Sequence, residues 1–135
     1  MSQIVVTKLL DGPRQAVFHI YLKSDGVTGE LEDEVVIDPV ADIVPNRNSE
    51  PTLTIEEIWS DLSGFVALFK FDNLVAGTPA WVVSGGAGNY IDFRTFGGIK
   101  DQSPALDGGG SLMISTTGFS DVDDQGTIII KIRKD

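Results

Sequence analysis

Apolar residues recur here at every second position, in short runs cut off by Gly, Pro, Asp and Ser about every ten residues. That pattern specifies antiparallel β structure rather than alternating strands and helices. In QAVFHIYLKS, Ala16, Phe18, Ile20 and Leu22 share one face while Val17, His19, Tyr21 and Lys23 share the other. GFVALFKFD groups Phe65, Ala67, Phe69 and Phe71, and GTIIIKIRKD sends Ile128, Ile130 and Ile132 inward and Thr127, Ile129, Lys131 and Arg133 outward. The runs stop at turn signals such as Asp11-Gly12-Pro13, Ser24-Asp25-Gly26, Ser63-Gly64, Gly97-Gly98 and Gln125-Gly126.

Further strands are predicted over Gln3 to Leu10, Leu31 to Asp38, Leu53 to Trp59, Ala80 to Ser84, Tyr90 to Phe93 and Ser111 to Thr117. The total of about eight or nine predicts an all-β, antiparallel β-sandwich of jelly-roll or immunoglobulin-like type. With 135 residues and no dividing linker, residues 1–135 read as a single domain. In TLTIEEIWSD the alternation breaks at Glu56-Glu57, which predicts a bulge or one helical turn. YIDFRTFGGIKD cannot be one regular strand, because Tyr90, Phe93 and Phe96 are spaced by odd numbers. It reads as a sheet corner in which Gly97-Gly98 free Phe96 and Ile99 to turn back into the core.

Charge and composition narrow the function. Twenty acidic against ten basic side chains give a net charge of −10, which repels a phosphate backbone, so no direct nucleic-acid partner is expected. Cysteine is absent, which removes a disulfide scaffold, a thiolate metal site and a thiol nucleophile together. The start MSQIVVTKLLDG lacks the pattern of a signal peptide, and no run approaches ~18 apolar residues, so neither secretion by that route nor a membrane span is expected.

Each candidate for chemistry has a plainer structural explanation. His19, the only histidine, lies mid-strand and reads as a half-exposed structural residue on the outer face. Glu30, Glu32 and Glu34 fall on one strand face at ~7 Å intervals, but a charged edge-strand face is wet and deters stray pairing. DVDDQG matches only the opening of an EF-hand loop, and position twelve is Ile132. A solvated hairpin turn is the reading, with a weak calcium site from Asp121, Asp123 and Asp124 as its alternative. GGAG and DGGGS precede no helical pattern, so they build no nucleotide cradle, and no cofactor is expected. Trp59, Trp81 and Tyr90 suit a sugar-binding face, although aromatics in a sandwich more often serve core or subunit interface.

Taken in order, IEEIWSDLSGFVALFKFD, GNYIDFRTFGGI, GGSLMISTTGFSDVD and GTIIIKIRKD resemble a group of small virion structural proteins of tailed bacteriophages. VFHIYLKSDGVTGELEDEVVIDP is similar to their first half. The resemblance implies a β-sandwich found in particles and no enzymatic activity, and it carries over no catalytic residue. Within the group, an acidic protein of this size suits a capsid decoration or cement protein that binds the major capsid protein. A homotrimer suits the symmetry axes where such proteins sit. A tail, neck or fibre-attachment component is the alternative, and a carbohydrate-binding module for host attachment is the alternative of another class. Sandwiches meet partners mainly with loops, so contacts are expected at Asp42, Arg47 and Asn48 in the Pro-rich connection and at Lys100, Asp101 and Gln102.

Overall fold

In the computed structural model, which describes residues 2–38, 53–72, 78–84, 86–100 and 111–134, the alternating runs form strands. They are β1 (Gln3–Asp11), β2 (Gln15–Lys23), β3 (Glu34–Ile37), β4 (Leu53–Ser63) and β5 (Val66–Phe71), then β6 (Thr78–Val83), β7 (Gly86–Asp92), β8 (Ile99–Lys100), β9 (Leu112–Thr117) and β10 (Gln125–Lys134). One 3₁₀ turn, Arg94–Phe96, interrupts them. All strand pairings among the described residues are antiparallel, as the period-two pattern requires.

The strands divide into two sheets. The larger has the order β1-β2-β10-β4-β7, with β8 also paired to β4, and the smaller has the order β3-β9-β5-β6. The pairs β2·β10, β3·β9, β4·β7 and β5·β6 are nested in the chain like the arms of one long folded hairpin, and successive pairs alternate between the sheets. One hydrophobic cluster draws on both: Phe18, Ile20, Ile55, Ile128 and Ile130 from the larger, and Val36, Phe69, Phe71 and Ile114 from the smaller. That arrangement is consistent with a two-sheet sandwich.

The faces assigned by alternation hold. Ala16, Phe18, Ile20 and Leu22 are 2% exposed or less, and Ile128, Ile130 and Ile132 are fully buried. A bulge does sit at Glu56-Glu57: Lys131 faces Glu57 while Ile132 faces Ile55, so Glu56 is the extra residue. Without it Ile55 and Ile58 would point to opposite faces; with it both enter the core. The two displaced carboxylates are buried against cationic or amide partners. Glu56 accepts from Gln15 Nε2 at 3.0 Å and lies 3.6 Å from Arg133, and Glu57 lies 2.9 Å from Arg94 Nε.

Two expectations need correction. β3 is only four residues long, so Glu30 and Glu32 do not share a strand face with Glu34. Glu30 instead accepts hydrogen bonds from the N–H groups of Gly118 and Phe119 and from Thr116 Oγ1 at 2.8 to 2.9 Å. Backbone donors that need an acceptor outweigh the strand propensity of the segment. The second correction is Phe96. The chain turns at Gly97 and Gly98, both near φ +90°, and Ile99 packs against the core, but Phe96 is 67% exposed. The 3₁₀ turn Arg94–Phe96 holds Phe96 outward, and Phe93 fills the core position instead.

Candidate interaction surface

Outward residues of the larger sheet align in rows because its strands are in register. One row runs Thr7, His19, Ile129, Trp59 and Tyr90 across β1, β2, β10, β4 and β7. At its end Trp59 and Tyr90 are direct cross-strand partners, with ring centroids 5.2 Å apart and planes 30° from parallel. Such a pair contributes about 0.5–1.5 kcal/mol beyond the area it covers. Even so, Trp59 is 38% and Tyr90 48% exposed, a large apolar surface for an outer sheet face.

Two hollows adjoin the pair. A depression of about 210 Å³ is lined by Trp59, Asp61, Asn89, Tyr90, Thr127 and Ile129 among others. A second, of about 130 Å³, opens between β6 and β7 beside Trp81 and shares Ser60, Asn89 and Tyr90 with the first. Trp81 itself is partly buried and meets Phe93 edge-on at 4.9 Å. The three aromatics read from the sequence therefore divide, two standing outward and one packing on the core.

Beside Tyr90 the bulge and the corner assemble a fixed charge cluster. Arg94 donates through Nε and Nη2 to the Asp92 carboxylate at 3.0 and 2.9 Å, and its Nε lies 2.9 Å from Glu57. The Arg94 side-chain hydrogen bond, with help from its backbone N–H, holds the Asp92 carboxyl below the usual carboxylate range. Asp92 in turn raises the Arg94 guanidinium above its ordinary value. Partial desolvation, then the charges of Asp92 and Glu57, push the Tyr90 phenol up. All three groups keep one protonation state near neutral pH.

The opposite edge of the larger sheet is different in character. Among the described residues β1 pairs only with β2, at the edge of the larger sheet, and Ile4 is its residue packed against the core. Val6 lies opposite the buried Ile20 yet is 37% exposed, and Val5, Leu9 and Leu10 are 49–55% exposed. Apolar side chains thus stand on both faces of a nine-residue edge strand. Lys134 ties its end to β10, bonding Asp11 and donating to the Gly12 carbonyl at 2.8 Å.

Of the contact residues expected from the sequence, Lys100 lies on β8 opposite Thr54, five positions along β4 from Trp59. Asp42, Arg47, Asn48, Asp101 and Gln102 lie outside the described residues. In the acidic turn, Asp124 is buried and accepts from the N–H groups of Ser120 and Asp121 at 3.1 and 3.0 Å, while Asp121 accepts from Asp123 N–H at 3.2 Å. The Asp121 and Asp124 carboxylates thus accept from backbone donors, and among the described residues no three acidic or histidine side chains gather at a metal-sized centre. His19 is half-buried on the outer face, between Thr7 and Ile129.

The sequence marks Glu57 only as part of a bulge and gives no signal for Asp61, Asn89, Asp92 and Arg94. Only pairing between β4 and β7, some thirty residues apart, brings them together. Trp59, Tyr90 and the outward Ile129 are the local signals of an apolar outer face. Among the described residues no helix is long and apolar enough to cross a membrane. A scan against family models and a search of curated proteins found no match to this chain.

Proposed function

We propose that this chain is a structural subunit of a tailed-phage virion, and that it acts as a decoration protein bound to the major capsid protein on the head. The observation that carries the reading is β1, which among the described residues is an edge strand with exposed Val5, Val6, Leu9 and Leu10. Left free, such a strand invites unwanted pairing; in a particle, a neighbouring subunit covers it. Standard-size contacts of ~800 Å² per partner, repeated over many copies, would clamp adjacent capsomers.

Topology supports the same reading. The order β2-β10-β4-β7 against β3-β9-β5-β6 supports a jelly roll, which we favour over an immunoglobulin-like sandwich, and jelly rolls recur in viral capsid and lectin domains. This support is fold-level analogy and adds to the resemblance in sequence. The net charge of −10 keeps a many-copy protein soluble before assembly. A homotrimer about a symmetry axis is the proposed oligomer, and a tail or neck position on the same sandwich is the alternative.

Quantitative mass spectrometry of purified virions is the test. The reading expects this chain in intact particles, at a copy number comparable with the major capsid protein and retained after separation of heads from tails. Absence from purified particles would refute it, and retention only with tails would transfer it to the alternative.

A further inference from the structure

The hollows beside Trp59 and Tyr90 are unused by the assembly reading, which rests on the far edge of the sheet. Each is smaller than the ~300 Å³ at which pockets for drug-sized ligands begin. The first lies on the outer face, beside Trp59, Asp61, Thr127 and Ile129, whereas the second opens between the sheets beside the inward Ile58 and Ser60, so only the first belongs to the outer face. Its shallow form, about 210 Å³ beside two exposed rings, suits one small ring of a longer ligand that continues into solvent.

The lining states the chemistry of such a ligand. An exposed aromatic pair offers an apolar, electron-rich surface to a C–H face. Asp61 accepts hydrogen bonds only, and the Thr127 hydroxyl both donates and accepts, which matches a ring bearing alternating C–H faces and hydroxyls. Nucleobases also stack on aromatics, but they bring phosphates, and these would meet Asp61 in the hollow on a chain of net charge −10, while the nearby Arg94 is already paired with Asp92 and Glu57. The same charges disfavour sulfated and uronate-rich polysaccharides. An apolar helix would have to bury Asp61 without a cationic partner of its own.

We propose that the outer face of the larger sheet binds a neutral oligosaccharide, with one sugar ring against Trp59 and Tyr90 and its hydroxyls on Asp61 and Thr127. This site is independent of where in a particle the protein sits. Position on β4 and β7 gives it a rigid base, since both strands also carry core residues such as Ile58 on their inner side.

Saturation-transfer NMR on the full chain tests it. The probes are neutral gluco-, galacto-, manno- and N-acetylglucosamine oligomers at millimolar concentration, with heparin as the anionic control. At least one neutral oligomer should receive saturation on its ring C–H protons, and a Trp fluorescence titration should give its affinity. Trp59→Ala and Tyr90→Ala should each weaken that affinity tenfold or more. Asp61→Ala, at an exposed position that leaves folding intact, should weaken it several-fold, and Val27→Ser, in a remote loop, should leave it unchanged. The proposal is overturned by silence from every neutral oligomer, by a preference for heparin, or by binding that Trp59→Ala and Asp61→Ala both leave intact. A concentration-dependent dimer lost in Tyr90→Ala, without sugar binding, would also overturn it by assigning the face to a second copy.

Discussion

Phe69→Ala is expected to lower the free energy of unfolding by about 3–5 kcal/mol, a large fraction of the roughly 5–15 kcal/mol of an ordinary domain. Phe69 is fully buried on β5, flanked by Ile114 of β9 and Trp81 of β6. Truncation removes the transfer free energy of the ring and leaves a cavity that two hydrogen-bonded neighbours cannot close without shifting register. Guanidinium titration followed by Trp fluorescence would read this as a lower midpoint with an unchanged slope. The next residue supplies the contrast. Lys70 is on the opposite side of β5 and pairs with Asp33 at 3.0 Å, so Lys70→Ala should cost under about 1 kcal/mol. Equal losses at the two positions would contradict the assigned faces.

Gly98→Ala should cost about 3–5 kcal/mol, and Gly97→Ala only about 1–2 kcal/mol. Both residues sit at strongly positive φ, +90° and +92°, so each substitution carries similar backbone strain. Their surroundings differ. A Cβ on Gly98 would lie 2.6 Å from Thr54 Cγ2 and 2.8 Å from the Ile55 carbonyl oxygen, whereas a Cβ on Gly97 would meet nothing within 4 Å. Ile55 is held opposite Ile99 and Ile132, so its carbonyl cannot retreat cheaply. The difference between the two variants therefore isolates the close approach of the corner to β4. Thermal melts of both, beside the parent, would measure it, and equal shifts would show that the corner does not pack against β4 in this way.

These two sites also show what a sequence makes legible. The buried face of β5 follows from alternation alone, because Phe65, Ala67, Phe69 and Phe71 are local neighbours in a period-two pattern. The corner was legible as a break, since Tyr90, Phe93 and Phe96 cannot share a face, and so was the bulge at Glu56-Glu57. Which aromatic enters the core was not legible, because a 3₁₀ turn and a strand end satisfy the same spacing. Glu30 misled for a related reason: its carboxylate is claimed by the N–H groups of Gly118 and Phe119, 88 and 89 residues away. Sheet order was invisible for the same cause, since β2 and β10 meet across about a hundred residues.

The interaction surface combines both situations. Trp59, Tyr90 and the outward Ile129 stand in the sequence as aromatics and alternation. Their union with Asp61, Thr127 and the Arg94 cluster exists only after β4 has paired with β7 and β10. A surface built by pairing across the chain leaves no contiguous motif.

The central claim, that this chain is a head decoration protein, is tested most directly by adding the purified protein to phage heads that lack it and following both binding and DNA release on heating. The account predicts saturable binding with a fixed number of copies per head and a higher temperature of DNA release. Leu9→Asp and Leu10→Asp on β1 should weaken both effects. Heads that bind none of the protein, and that release DNA at the same temperature with and without it, would contradict the account.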